Sequence, residues 1–220
     1  MGVSHVEFIV EEPSMEAALR PLLPRLLGNI TFSIYQHQCK DELVQCLPAR
    51  LRGYAPWLPQ DWRIVVVVDR DDDDCLELKR TLETIAARAG LRTRASSSRT
   101  RYHVVNRLAI EELEAWYFGD WQAVRQAYPR VPVTIPKKAA YRDPDAIRGG
   151  TWEAFERILQ RAGYFRNGLR KIEAARTIAE CWNPEANSSR SFQVFRRVLL
   201  EMATGRQADA ASSRAYGPSQ

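Results

Sequence analysis

The stretch Ile64-Val65-Val66-Val67-Val68-Asp69-Arg70-Asp71-Asp72-Asp73-Asp74-Cys75 joins an uninterrupted apolar run directly to five carboxylates in six positions. A run of β-branched residues without polar alternation is typical of a strand covered on both faces, as in a parallel α/β sheet. In such sheets, ligands bind at the carboxyl ends of the strands. We therefore expect the functional site at the end of this strand.

The spacing of Asp69 and Asp71 predicts a metal site. Residues two apart in an extended strand share a face, so the two carboxylates can aim at one point. Like charges repel by roughly 1 kcal/mol per pair in water at about 4 Å, and by more where solvent is excluded. A divalent cation relieves that repulsion, and Mg²⁺ and Mn²⁺ prefer oxygen ligands of this kind. The sequence has no paired His/Cys cluster, which argues against structural zinc.

A simpler interpretation of these aspartates stays open. Asp is favoured at the N-cap and in the first turn of a helix, and a helix is predicted over 72–89 with Gly90 just beyond its end. Capping accounts for one or two of the carboxylates but not for five. Residues 72–74 can share that role while Asp69 and Asp71 do not.

The order of patterns along the chain predicts an α/β fold with a mostly parallel sheet flanked by helices. The first strand is predicted at His5–Val10 and an edge strand at Ile30–Gln38, with further strand candidates at Leu91–Ala95 and Tyr102–Leu108. Between them, helices are predicted from Met15 to Leu27 and from Asp41 to Arg52. In the first helix Ser14 is the expected N-cap and Gly28 the stop, and Pro21 and Pro24 are expected to kink or split it; the second is expected to end at Pro48.

Glu11 directly follows the first strand. If that strand and the Ile64–Val68 strand are neighbours, their carboxyl ends converge, and Glu11 becomes the natural third ligand beside Asp69 and Asp71.

These acidic segments resemble a known signature. Val10-Glu11-Glu12-Pro13-Ser14-Met15-Glu16 and Val68-Asp69-Arg70-Asp71 are similar to the split motif of Toprim domains, in which a Glu after strand one and a later Asp-x-Asp bind Mg²⁺. Together with the segments 111–116 and 191–195, they resemble a small Toprim-like family, a domain of unknown function related to the nuclease part of OLD-type proteins. The resemblance covers most of residues 5–202. One departure is Glu12, which stands where Toprim proteins usually have Gly.

The resemblance implies a Mg²⁺- or Mn²⁺-dependent nuclease that hydrolyses phosphodiester bonds. Glu11, Asp69 and Asp71 would hold the first metal, and the candidates for a second metal are Asp73, Glu112 and Glu114. A lysine near two metals can neutralise a phosphate in the transition state, which makes Lys138 a catalytic candidate. The residues themselves leave other interpretations open, because Glu112 and Glu114 also suit a capped, solvated turn and loop lysines are commonly just solvated.

Basic blocks predict a polyanionic partner. The net charge is +5, and the segments 84–110, 121–142 and 157–172 contain arginines or lysines but no acid. Such blocks suit DNA or RNA, although a solvated helix face explains each block equally well. The predicted nucleic-acid-binding residues are Arg94, Arg99, Arg101, Lys137 and Lys138.

The predicted organisation is a Toprim-like core over 1–120, a basic loop and helical annex over 121–203, and a disordered tail over 204–220. The annex helices are predicted at 151–162, 168–181 and 191–203, and the stripe of Phe192 and Phe195 is a candidate docking surface that also suits a core. Four cysteines without Cys-x-x-Cys spacing, no secretory segment and no membrane span predict a cytosolic protein.

The relatives that the resemblance implies are commonly encoded beside an ABC- or SMC-type ATPase of the anti-phage kind, so we expect such a partner, with assembly into a homo-oligomer left open. A different class of function also stays open, namely a non-catalytic regulatory or binding subunit. Glu12 in place of glycine is its main support.

Overall fold

Four parallel strands form one sheet in the order β2-β1-β3-β4 in the computed structural model, which describes residues 2–97 and 101–205. The strands are β1 His5–Val10, β2 Thr31–Gln36, β3 Trp62–Asp69 and β4 Val104–Ala109. The predicted α/β class with a parallel sheet is therefore confirmed. The Ile64–Val68 run is fully buried in an inner strand, and β2 lies at the sheet edge as its wetter pattern predicts.

Helices cover both faces of the sheet. Their bounds are α1 Pro13–Leu27, α2 Lys40–Tyr54, α3 Cys75–Arg88, α4 Leu113–Gly119, α5 Trp121–Ala127, α6 Thr151–Arg161, α7 Lys171–Cys181 and α8 Arg190–Thr204. One face, with Phe8 and Val65, shares a hydrophobic cluster with α1, α4 and the C-terminal helices. The opposite face, with Ile9 and Val66, packs with α2 and α3. The carboxyl edge of the sheet lies between these two layers of helices.

The three C-terminal helices form as predicted, but they belong to the core. Helix α7 packs against α1, and α8 packs against both α1 and β4. Phe192 and Phe195 are buried at 0% and 1% exposure and stack around Trp116. Their stripe is therefore part of the core and not a docking surface. Residues 206–220 of the predicted tail lie outside the described residues.

Three prolines lie inside continuous helices, so the predicted split of α1 and the predicted end of the second helix at Pro48 are wrong. Helix α1 runs through Pro21 and Pro24, and α2 runs through Pro48. A proline inside a helix costs about 3 kcal/mol, whereas full burial of one leucine contributes about 1.5–3 kcal/mol. Leu22, Leu23, Leu26 and Leu27 of α1 are all buried, so packing outweighs the missing hydrogen bonds.

Several element ends also differ from the prediction. The N-cap of α1 is Glu12, while Ser14 lies inside the helix and its hydroxyl donates to the Glu12 carboxylate. Leu91–Ala95 is not a strand, since only Thr93 forms an isolated bridge to Val104. Helix α5 occupies part of the segment expected to be a linker, because Asp120 accepts a hydrogen bond from the Ala123 N–H and begins the helix. No helix among the described residues is long and apolar enough to cross a membrane.

Candidate functional site

Glu11 and Asp69 lie side by side where two neighbouring strands end. Asp69 is the last residue of β3, Glu11 follows β1, and the Asp69 backbone N–H donates to Glu11 Oε2 at 2.8 Å. Their residues are only 8% and 5% exposed, respectively. The expected convergence of these two strand ends is therefore present in the structure.

Burial changes the charge of both carboxyl groups. It raises the pKa of Glu11 to about 7, although the hydrogen bond from Asp69 acts in the opposite direction. Burial also raises the pKa of Asp69 well above its usual range, and the nearby carboxylates of Glu11, Glu12 and Glu114 add to that shift. Carboxyl groups held in this way carry protons near neutral pH unless a cation compensates their charge.

Glu114 brings a third buried carboxylate to this site from the first turn of α4. Its residue is 1% exposed, and burial raises its pKa to about 8. Within the described residues, Glu114 Oε2, Asp69 Oδ1 and the Tyr117 hydroxyl are buried without a hydrogen-bond partner. Unpaired buried polar atoms are costly, so these oxygens are free to accept or donate a further hydrogen bond or to coordinate a cation. We call Glu11, Asp69 and Glu114 the carboxylate cluster.

Lys171, the first residue of α7, supplies positive charge to the cluster. Its Nζ lies 3.8 Å from Glu12 Oε2 and 5.2 Å from the centre of the Trp152 ring. Although burial opposes it, the carboxylates of Glu114 and Glu12 raise the pKa of Lys171. The ammonium group therefore stays charged at the rim of the cluster.

Asp71 does not share the face of β3 with Asp69, contrary to the alternation argument. The strand ends at Asp69, and Asp71 has a left-handed φ of 50°. Its backbone N–H donates to the Glu111 carbonyl at 2.8 Å, and Glu111 itself has a φ of 61°. Two neighbouring strand-end loops therefore hold strained residues, a feature that often accompanies functional sites.

A lysine lies between the remaining predicted ligands. Lys40 Nζ is 2.6 Å from Asp71 Oδ2 and 2.7 Å from Asp73 Oδ2, and it also donates to the Arg70 carbonyl at 3.3 Å. Although burial opposes it, these two carboxylates raise the pKa of Lys40. Asp71 and Asp73 thus share one cation from the chain itself, which offsets one of their two negative charges. Asp74 caps α3 by accepting from the Glu77 N–H at 2.8 Å, so the capping interpretation holds for that residue.

Glu112 has a structural contact that accounts for its carboxylate. Its Oε2 accepts hydrogen bonds from the Thr151 N–H at 2.9 Å, the Thr151 hydroxyl at 2.6 Å and the Trp152 N–H at 2.9 Å. The N-cap position of α6 is Gly150, which has no side chain to accept these donors. Glu112 replaces the missing cap through this one carboxylate oxygen.

None of the predicted basic residues that the structure describes forms an ion pair with the carboxylate cluster. Lys137 and Lys138 are exposed and form no ion pair within the described residues, and Arg101 is exposed before β4. Arg94 pairs with Glu201 of α8, and its N–H bonds to the Val104 carbonyl at the start of β4. Arg99 lies outside the described residues.

Sequence reasoning missed Lys40 and did not connect Lys171 to the carboxylates. A signal for Lys40 exists, because it begins the helix that follows β2 and so stands at the carboxyl edge of the sheet. Lys171 begins α7, which packs on α1. Only that long-range packing brings it to Glu12 and Glu114.

The donor atoms of the cluster fit a hard divalent cation in type. They are carboxylate oxygens, two of which have no partner among the described residues. Within residues 2–97 and 101–205, no three His, Cys, Asp or Glu side chains are already gathered at metal-ligand geometry. Binding of a cation therefore requires the carboxylates to move closer together around it.

Comparison with protein-family models gives one match, to the family described as "Domain of unknown function (DUF4276)", over residues 10–202. The match spans most of the 220 residues and includes every member of the carboxylate cluster. The chain belongs to this family. Comparison with curated proteins and with solved structures gives no match.

Proposed function

We propose that this family member is a metal-dependent nuclease, which hydrolyses phosphodiester bonds in DNA or RNA at a Toprim-type acidic site. One observation carries the proposal. Two buried carboxyl groups, Glu11 and Asp69, lie side by side at the carboxyl edge of a parallel sheet, and the buried Glu114 acts electrostatically on Asp69; Asp69 and Glu114 each hold an unpartnered oxygen. A Mg²⁺ or Mn²⁺ ion is the ligand that compensates such a group most directly.

A bound divalent cation would lower the pKa of a water molecule and polarise the phosphate. The residues of the chain would do the rest. Glu11, Asp69 and Glu114 would bind the cation. Lys40 and Lys171 would attract the phosphodiester and offset the charge that develops on it, because both ammonium groups lie beside the acidic residues. They take the role that the sequence assigned to Lys138.

Cleavage of labelled DNA and RNA oligonucleotides tests this proposal directly. We expect the wild-type chain to cleave in Mn²⁺ and not in EDTA. Asp69→Asn should lower the cleavage rate at least 100-fold, on the order expected for a disrupted metal site. Asp72→Asn is the matched control, since Asp72 is exposed next to the same loop. Equal rates for the two variants would contradict the assigned site.

The alternative function is a non-catalytic binding subunit, and Lys40 favours it. The bridge from Lys40 to Asp71 and Asp73 supplies a cation where a second metal is expected, and Glu112 is engaged as a cap. Calorimetry separates the two functions. A two-metal nuclease should show two Mn²⁺ binding events, whereas a binding subunit should show one or none.

We also propose a cytoplasmic setting with an ABC- or SMC-type ATPase partner in anti-phage defence, a partner that restrains a hazardous nuclease. The support is the resemblance of the acidic segments described above. Because Phe192 and Phe195 are buried, the partner must contact another surface. We expect the isolated chain to be weakly active and co-expression with an ATPase encoded beside it to give a complex with nucleotide-dependent activity. Full ATP-independent activity of the purified chain, with no adjacent ATPase gene, would contradict this assignment.

A further inference from the structure

A second charged cluster lies around β4, the last strand of the sheet on the side away from β2. Arg107 is on β4 itself, Arg63 is the second residue of β3, Arg94 precedes β4, and Arg197 comes from α8, which packs on β4. Tyr102 connects them, since the Arg63 guanidinium lies 5.1 Å from its ring centre and the charge of Arg94 also acts on its hydroxyl. We call these four arginines the β4 arginine cluster.

Positive charge in this cluster exceeds the negative charge near it. Among the described residues, Glu201 pairs with Arg94, and Glu83 on α3 pairs with Lys79 at 3.2 Å. Burial, followed by the charge of Arg94 and then that of Arg197, lowers the pKa of Arg107 to about 10. An arginine normally stays protonated beyond pH 12, so the charge of Arg107 is held at a cost that comes first from burial and then from the neighbouring arginines.

The cluster also holds unused hydrogen-bond donors. The Nε atoms of Arg63, Arg94 and Arg107 are buried without an acceptor in the described part of the chain, and Arg63 as a whole is 7% exposed. Arg197 is exposed and forms no ion pair with any described residue. An anion with several oxygens satisfies both deficits, because it neutralises excess charge and accepts from guanidinium forks.

We propose that the β4 arginine cluster is a phosphate-binding site that holds the backbone of a single-stranded nucleic acid. The short distance along β4 between the arginines and the carboxylate cluster favours a polynucleotide over free phosphate. Ala109, the ladder partner of Asp69, lies two residues after Arg107, which is about 7 Å along the strand. One polynucleotide strand can therefore reach both the arginines and the carboxylate cluster. The choice of a polynucleotide rests on the proposed function, whereas the phosphate site itself does not.

Binding measured in EDTA separates this site from cleavage, because no metal is present. We would measure anisotropy of a fluorescent single-stranded oligonucleotide and, separately, the thermal shift caused by inorganic phosphate. Arg197→Ala is the main variant, since this exposed residue tolerates truncation. Arg196→Ala is its matched control, because it is the next residue on α8 and points to Glu185, with a 3.3 Å ion pair.

We expect Arg197→Ala to weaken oligonucleotide binding several-fold. The slope of log affinity against log salt concentration should become shallower by about 0.7, which is the contribution of one phosphate contact on a single strand. Arg196→Ala should bind like the wild type. Arg107→Gln should weaken binding further; if that variant does not fold, Arg197→Ala decides alone. Binding of inorganic phosphate without oligonucleotide would keep the phosphate site but assign it to a small ligand.

Two results would overturn the proposal. One is the absence of binding of either probe to the wild-type chain. The other is an equal effect of Arg196→Ala and Arg197→Ala. Neither result depends on Mn²⁺, so failure of the nuclease proposal and failure of this site can be told apart.

Discussion

The backbone N–H of Asp69 donates a 2.8 Å hydrogen bond to the Glu11 carboxylate, and this bond joins the ends of the two inner strands. The bond favours the ionised form of Glu11, yet burial outweighs it and raises the pKa of Glu11 to about 7. The strand ends therefore bring together acidic groups that the protein alone does not keep ionised. The ionised forms of these buried groups therefore need a compensating cation.

Stability without metal should fall as the pH rises from about 4.5 to about 8. Glu11 and Glu114 have pKa values of about 7 and about 8 in the folded chain, against 4.5 as the ordinary value. A raised folded pKa contributes stability that is complete below the unfolded pKa and is lost as the pH passes through the folded pKa. Urea unfolding in EDTA at several pH values measures this loss.

The variant Glu114→Gln isolates the contribution of one group to that pH dependence. Its amide cannot ionise, so the decline in unfolding free energy between pH 5 and pH 8 should be smaller than in the wild type, by an amount on the order of a few kcal/mol. Glu180→Gln, at an exposed position, is the control and should keep the wild-type profile. Identical profiles for wild type and Glu114→Gln would show that burial does not perturb Glu114.

Replacing Lys40 should strengthen metal binding. The Lys40 ammonium contacts Asp71 and Asp73, and its charge also acts on Glu11, so it competes electrostatically with a divalent cation in the carboxylate cluster. Lys40→Met removes this competitor and should raise Mn²⁺ affinity on the order of tenfold, equivalent to about 1.4 kcal/mol. Calorimetric titration measures it, with the exposed Lys137→Met as control. Weaker Mn²⁺ binding by Lys40→Met would contradict a competing role.

Removing Glu112 should destabilise the fold without affecting metal binding. Glu112→Ala leaves the N–H groups of Thr151 and Trp152 without their acceptor, which should cost about 1–3 kcal/mol of unfolding free energy. Urea denaturation measures the loss, and the exposed Glu180→Ala is the control. A large loss of Mn²⁺ affinity with Glu112→Ala would restore this residue as a metal ligand.

Local patterns predicted the fold well wherever periodicity was strong. The apolar run Ile64–Val68 correctly indicated an inner parallel strand, and His5–Val10 matches β1 at both ends. Because parallel strands end at the same edge, the position of Glu11 beside Asp69 was predictable on the condition that β1 and β3 are neighbours, which the structure confirms. The prolines of α1 misled the prediction because long-range burial, which a local pattern does not contain, decides whether a helix continues.

The site was predictable only as far as strand geometry extends. Alternation ceases at Asp69, where β3 ends, so it gave no information on Asp71, whose φ of 50° turns the chain away. The capping role of Glu112 depends on α6, which starts 39 residues later. Lys171 reaches Glu12 only through the packing of α7 on α1. Contacts between distant segments are invisible to spacing arguments.

Calorimetric titration of Mn²⁺ at pH 7 tests most directly whether the carboxylate cluster is a metal site. The titration compares the wild type with Asp69→Asn and with the exposed control Asp72→Asn. The wild type should bind Mn²⁺ and release protons, seen as a binding heat that varies with the ionisation enthalpy of the buffer, because Glu114 has a pKa of about 8 and must lose its proton. Asp72→Asn should behave identically, and Asp69→Asn should not bind. Absence of Mn²⁺ binding to the wild type, or unchanged binding by Asp69→Asn, would contradict the account.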